Sequence, residues 1–203
     1  SARASGFEIT LDGVVLHGGT DTAILAEAFA LAGIERATWE PHNSAMLETM
    51  RQTIAARRGE MRLWTMPAVQ EILAHLAGRG ALLGIATGNL EAIGWTKVEI
   101  VGLREWFRFG GFSDRFEVRA EMVAEAAKKA RALLPEKPDA TICVVGDTPR
   151  DIEAARANGL PVIAVATGNY SFEQLAVLEP DACVESFAAL PGLESGREAE
   201  SSR

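Results

Sequence analysis

The run Thr141-Ile142-Cys143-Val144-Val145-Gly146-Asp147-Thr148-Pro149-Arg150-Asp151 decides the fold. An apolar stretch ends in a glycine and delivers two carboxylates four residues apart, after which Ile152-Glu153-Ala154-Ala155-Arg156-Ala157 reads as helix. A strand opening into an acidic loop belongs to open α/β sheets, which place ligands at the carboxyl ends of their strands. Asp147 emerges at that end, and Asp151 follows one helical turn later, so both side chains can turn toward one crevice. Two convergent carboxylates suit a hard cation such as Mg²⁺, which takes oxygen ligands and keeps several waters beside a phosphate. They equally suit a helix start, with Asp147 as cap and Asp151 in an acidic first turn. The loop alone leaves both readings open.

Working outward, helix and strand patterns alternate. Pro161-Val162-Ile163-Ala164-Val165-Ala166 and Ala81-Leu82-Leu83-Gly84-Ile85-Ala86 read as buried strands, and Ala182-Cys183-Val184 as an edge strand. Between them lie helices from Val69 to the stop at Gly78-Arg79-Gly80, after Asn89, and from Val118 to Leu134. A capping box, Ser171-Phe172-Glu173-Gln174, precedes another. Strands separated by helices imply an α/β core over residues 64–192 with a doubly wound parallel sheet, whose strand-end loops share one rim. Ahead of it, Thr20 or Asp21 caps a helix that stops at Gly33, and a second helix runs from about Asn43 to Arg58. These predict a small helical cap over residues 1–63, with apolar stripes that read as core. The charged stretch 193–203 reads as a disordered tail.

With 203 residues and 48% hydrophobic residues the chain can bury a real core. A net charge of −8 argues against a nucleic-acid or anionic-membrane surface. A small anionic substrate then needs a local cluster of donors. Cys143 and Cys183 fall in apolar runs without metal-ligand spacing, which predicts buried free thiols in a reducing compartment. No apolar run approaches a membrane span, and the expected location is the cytoplasm.

Two further signals fall on the predicted rim. Thr87-Gly88-Asn89 closes one strand and opens a helix, offering a hydroxyl, a glycine that permits close approach, and helix N-terminal amides for a phosphate. Thr and Asn are also ordinary caps, and the tripeptide recurs at Thr167-Gly168-Asn169. Order favours the first copy, because Lys97 follows it at helical distance. Lys97 could cancel charge between a phosphate and the carboxylates, or be a solvated surface lysine.

Thr87, Lys97 and Gly146-Asp147 with Asp151, in that order, resemble motifs two, three and four of the haloacid dehalogenase (HAD) superfamily, and the surrounding sequence resembles its phosphoglycolate-phosphatase-like members. Leu83 to Leu90, Gly146 to Ile152, Ile163 to Gly168 and Gly18 to Leu25 carry the likeness, which covers about Leu16 to Leu190. It implies a Mg²⁺-dependent phosphatase acting on a small phosphorylated metabolite, such as a phosphoglycolate-like compound or sugar phosphate. In that role Thr87, Gly88 and Asn89 bind the phosphoryl group and Lys97 neutralises it. Asp147 and Asp151 hold Mg²⁺, or position its waters and the lysine.

The family's first motif, a strand ending in Asp-x-Asp-Gly-Thr that supplies the nucleophile, is not found. The nearest text is Thr10-Leu11-Asp12-Gly13-Val14. Either it is a degenerate copy with a weak Thr10 nucleophile, or the nucleophile strand lies upstream of Ser1. The few residues between Gly13 and Thr20 are too few for the cap's first helix, which favours the second account. On either account this chain is expected to be inactive, and on the second the loss of that strand leaves sheet edges unpaired. The alternative is a catalytically inactive module that binds a phosphorylated ligand or a protein partner.

Overall fold

Thr20 decides where the first long helix starts. Its backbone is extended and its hydroxyl accepts from the Ala23 amide, so α1 (Asp21–Leu31) begins one residue later. The computed structural model describes residues 2–4 and 6–191; the stretch 193–203, expected to be a disordered tail, lies outside them. A short antiparallel hairpin, β1 (Ala2–Ala4) and β2 (Phe7–Ile9), precedes α1. After α1 come α2 (Arg36–Trp39), which was not expected, and α3 (Asn43–Ala56), close to its expected bounds. Phe29 and Trp39 stack at 4.9 Å among Ala28, Met46, Ile9 and Val14, forming the core of this helical layer.

The alternating region follows as α4 (Val69–Gly78), β3 (Gly84–Ala86), α5 (Glu91–Ile100), β4 (Phe109–Gly111) and α6 (Arg119–Leu133). It continues with β5 (Val144–Gly146), α7 (Pro149–Ala157), β6 (Val162–Val165), α8 (Phe172–Ala176) and β7 (Ala182–Val184). Every strand pair in this region is parallel. Side chains of β6 alternate between two helical layers, as a period of two demands. Val162 and Ala164 pack with Ile152 and Ala155 of α7 and Leu175 of α8, while Val165 packs with Ile72 of α4 and Val184. Helices thus cover both faces, and the α/β, doubly wound architecture holds. No helix among the described residues is long and apolar enough to cross a membrane.

The parallel sheet comes in two sections, β3-β4 and β5-β6-β7. Beneath them α6 packs on β3 and β4, and its Met122 and Val123 cluster with Ala154 of α7 and with Val144. Among the described residues, each of β3 and β5 is paired on one side only. Regular pairing is accordingly shorter than the apolar runs predicted. The open edge also corrects the expectation for the cysteines. Cys143 is exposed and Val145 is 44% exposed, although both lie in a run that reads as fully buried; Cys183, on the paired β7, is partly covered.

Candidate active site

The loops that follow β3, β5 and β6 meet at one rim. Thr87, Gly88 and Asn89, then Asp147 and Thr148, then Gly168, Asn169 and Tyr170 line a cleft of about 380 Å³, closed by His17, Gly18, Gly19 and Arg119. Four residues singled out in the sequence therefore come together: Thr87, Gly88, Asn89 and Asp147. Asp147 is the one carboxylate among the described residues that lines the cleft.

Asp151 is committed elsewhere. Thr148 caps α7 and forms a capping box with it: the Asp151 amide donates to Thr148 Oγ1 at 3.3 Å, and Thr148 N–H donates back to Asp151 Oδ2 at 3.1 Å. The Thr148 hydroxyl lies 2.8 Å from the same oxygen. Arg119 takes the other oxygen, Oδ1, with Nε at 2.9 Å and Nη2 at 2.7 Å. Both oxygens of Asp151, expected to serve as a metal ligand, accept here from Thr148 and Arg119. The cap reading holds for Asp151 and not for Asp147.

Asp147 stands half-buried beside Gly168, where any Cβ would overlap its carboxylate. Burial pushes its carboxyl above the ordinary range, the charge of Asp151 adds to this, and Arg119 opposes it in part. A divalent cation would relieve both causes. Among the described residues no group of three or more His, Cys, Asp or Glu converges. Mg²⁺ is usually held by one or two carboxylates together with water and substrate phosphate, so Asp147 fits it as a single protein ligand of weak affinity.

The loop after β3 has fewer free donors than a bare helix start would offer. The Leu90 amide donates to Asp21 Oδ2 at 2.8 Å and the Glu91 amide to Asp114 Oδ2 at 2.6 Å, so carboxylates already occupy the N-terminus of α5. Thr87 and Gly88 line the cleft beside them. Gly88 is pressed against the Gly19 carbonyl so closely that no Cβ fits. Lys97 does not reach the cleft. Its Nζ donates to Asn89 Oδ1 at 2.7 Å, because α5 runs away from the rim and carries residue 97 roughly 9 Å along its axis. The cation that meets the acidic loop is Arg119, at the start of α6.

The sequence matches the model of haloacid dehalogenase-like hydrolases over residues 25–165. The chain belongs to that family. It is 32% identical over 124 residues to the phosphoglycolate phosphatase of Mesorhizobium japonicum, which covers 61% of this chain and 53% of the relative. A phosphoglycolate phosphatase of Rhodospirillum rubrum matches at the same identity over 61% of this chain and 50% of its own. The chain thus spans about half the length of these relatives. A hydrolase from Pseudomonas syringae shares the fold, with a TM-score of 0.64 at 18% identity over 88% of this chain and 80% of that one.

In this haloacid dehalogenase-like chain, sequence reasoning missed three cleft contributors. Arg119 was hidden as the first residue of an Ala- and Lys-rich helix, 32 residues from its partner Asp151. The second Thr-Gly-Asn copy proved to share the cleft rather than compete with the first. Its Asn169 Nδ2 lies 2.7 Å from a ring nitrogen of His17, and its repeated text was the available signal. His17 itself carried none.

Proposed function

We propose that the intact protein is a Mg²⁺-dependent phosphatase acting on a small phosphorylated metabolite, such as a phosphoglycolate-like compound or sugar phosphate. The observation that carries this reading is the convergence of Thr87 and Gly88, Asp147, and the Arg119–Asp151 pair at the carboxyl ends of β3 and β5. On this reading residues 1–63 form the cap, residues 64–192 the catalytic core, and the protein works in the cytoplasm. The Thr87 hydroxyl and the Gly88 amide bind the phosphoryl group, and Arg119 supplies the fixed positive charge beside it. Asp151 holds Arg119 in place, Asn89 orders the loop, and Lys97 adds positive charge from behind Asn89. Asp147 holds Mg²⁺, which when bound neutralises charge on the phosphoryl oxygens. Catalysis is then positioning plus electrostatic stabilisation, as phosphoryl transfer demands.

The nucleophilic carboxylate belongs, on the same reading, to a strand seated between β3 and β5, whose free edges are each open to one more partner. Residues 1–203 alone then bind phosphate without turning over esters. The test is hydrolysis of p-nitrophenyl phosphate with Mg²⁺. Residues 1–203 should be silent, and fusion of a strand ending in Asp-x-Asp-Gly-Thr ahead of Ser1 should produce activity that Asp147→Asn abolishes. Binding of phosphate that persists with no turnover even in the fused protein would favour a non-catalytic binding module. Turnover by residues 1–203 alone, lost in Asp147→Asn, would overturn the assignment of the nucleophile.

A further inference from the structure

One residue outside the cleft, Asp21, touches the loop 87–90 at three successive points, once through its backbone N–H and twice through its carboxylate. Asp21, the first residue of α1, donates its backbone N–H to Gly88 O at 2.6 Å. Its Oδ1 accepts from Asn89 Nδ2 at 3.1 Å, and its Oδ2 accepts from the Leu90 amide at 2.8 Å. Asn89 in turn accepts from Lys97 Nζ. Both ends of the Asn89 side chain are therefore fixed, one by an acid and the other by a base.

This arrangement sets the direction of the donors. A trans peptide points its C=O and the following N–H to opposite sides. Drawing Gly88 O toward Asp21 thus turns the Asn89 amide the other way, where it meets Thr87 Oγ1 at 3.3 Å. The Thr87 hydroxyl accepts that bond and keeps its proton for a ligand. A carboxylate so near an anion site would ordinarily repel the anion. Here the Leu90 backbone amide and the Asn89 side-chain Nδ2 occupy its oxygens, and Lys97 balances its charge through Asn89.

We propose that Asp21 is a positioning residue of the phosphate site: its carboxylate, through Leu90, Asn89 and Lys97, aims the donors of loop 87–90, while its backbone N–H on Gly88 O ties their setting to the docking of α1. The proposal rests on reading loop 87–89 as phosphate-binding. The docking is itself specified by buried hydroxyls. Thr20 Oγ1 donates to Glu117 O and Thr22 Oγ1 to Phe116 O, each at 2.8 Å, immediately ahead of Arg119. A displacement of α1 therefore moves the phosphate loop and the approach to Arg119 together.

The test uses the full 203-residue chain, isotope-labelled, titrated with inorganic phosphate while the Gly88 amide resonance is followed. Wild type should bind, and Thr87→Ala should weaken binding. Asp21→Ala should weaken it about tenfold or more. Asp21→Asn keeps an acceptor for Leu90 but sets an amide against Asn89 Nδ2, and should lose a smaller factor, which keeps the test open if the alanine variant folds poorly. In a Lys97→Met background the effect of Asp21→Ala should shrink markedly, because the relay is already broken; a purely structural role would leave it undiminished. Unchanged affinity in Asp21→Ala alongside a weakened Thr87→Ala would overturn the proposal and leave the phosphate site standing. An Asp21→Ala effect undiminished by Lys97→Met would overturn the relay. No phosphate response in wild type would sink the site reading and the proposal with it.

Discussion

Replacing Arg119 with methionine probes the pair that joins α6 to the acidic loop. The Arg119 side chain is 16% exposed and Asp151 8%, with Nε and Nη2 both on Oδ1 and Nη1 3.3 Å from Gly18 O. Deleting one member of a buried ion pair costs about 3–5 kcal/mol, because the survivor is left uncompensated. Two features of this site lower that figure. Asp151 keeps the Thr148 amide and hydroxyl on its other oxygen. A cation on the first residue of α6 also opposes the helix dipole, an unfavourable contribution of about 0.3–1 kcal/mol that methionine removes. The net loss is therefore about 2–3 kcal/mol. For a chain of this length each kcal/mol shifts Tm by roughly 2–4 °C, which gives a fall of roughly 4–12 °C. Urea and thermal unfolding of the wild type, Arg119→Met, Asp151→Asn and the double variant measure it. The double variant should lose less than the sum of the singles, since removing both charges leaves neither stranded. Arg119→Lys should recover only part, because one ammonium cannot supply the two-donor fork and reach Gly18 as well. A cost below about 0.5 kcal/mol for Arg119→Met, or strict additivity in the cycle, would refute the claim that this pair is coupled and buried.

Three further expectations follow from the same geometry. Gly168→Ala should drive the Asp147 carboxylate out of its place and lower Mg²⁺ affinity, read by calorimetric titration, with an unchanged circular dichroism spectrum; undiminished affinity would place the cation elsewhere. Asp147→Asn should raise Tm at neutral pH without metal. The folded carboxyl titrates above its unfolded value, so the stability linked to its protonated form is present below the unfolded pKa and is lost as pH rises through the folded one. The advantage of the asparagine variant should therefore vanish in acid, and melts across the carboxylate range check this; a gain that persists in acid would need another cause. Thr148→Val removes the α7 cap and one donor to Asp151, and should cost about 1 kcal/mol in urea unfolding, with a value near zero counting against the capping box.

Local chemistry made much of the fold readable. Thr20 and Ser171 cap helices where capping signals stood, and Thr148 rather than Asp147 caps α7; runs of β-branched and aliphatic residues marked β5 and β6, since β6, covered on both faces, has no polar side to show. β4 went unseen because Phe109-Gly110-Gly111 contains no apolar run. Within the site, Thr87, Gly88 and Asp147 were legible because the end of a parallel strand determines where its next residue points.

The sequence by itself determined the alternation of strand and helix and the rim where the strand-end loops meet, because these depend on side-chain period and on short-range capping; the family was carried by the residues of its motifs. Only the tertiary structure decided which charges share that rim. Lys97 and Arg119 are both basic residues on helices of the core, and no local pattern ranks them. Packing of α6 against α7 brings Arg119 to Asp151, while the direction of α5 carries Lys97 behind Asn89. The partners of Asp151 likewise show only in the fold, for what reaches its oxygens comes from residues 3 and 32 positions away.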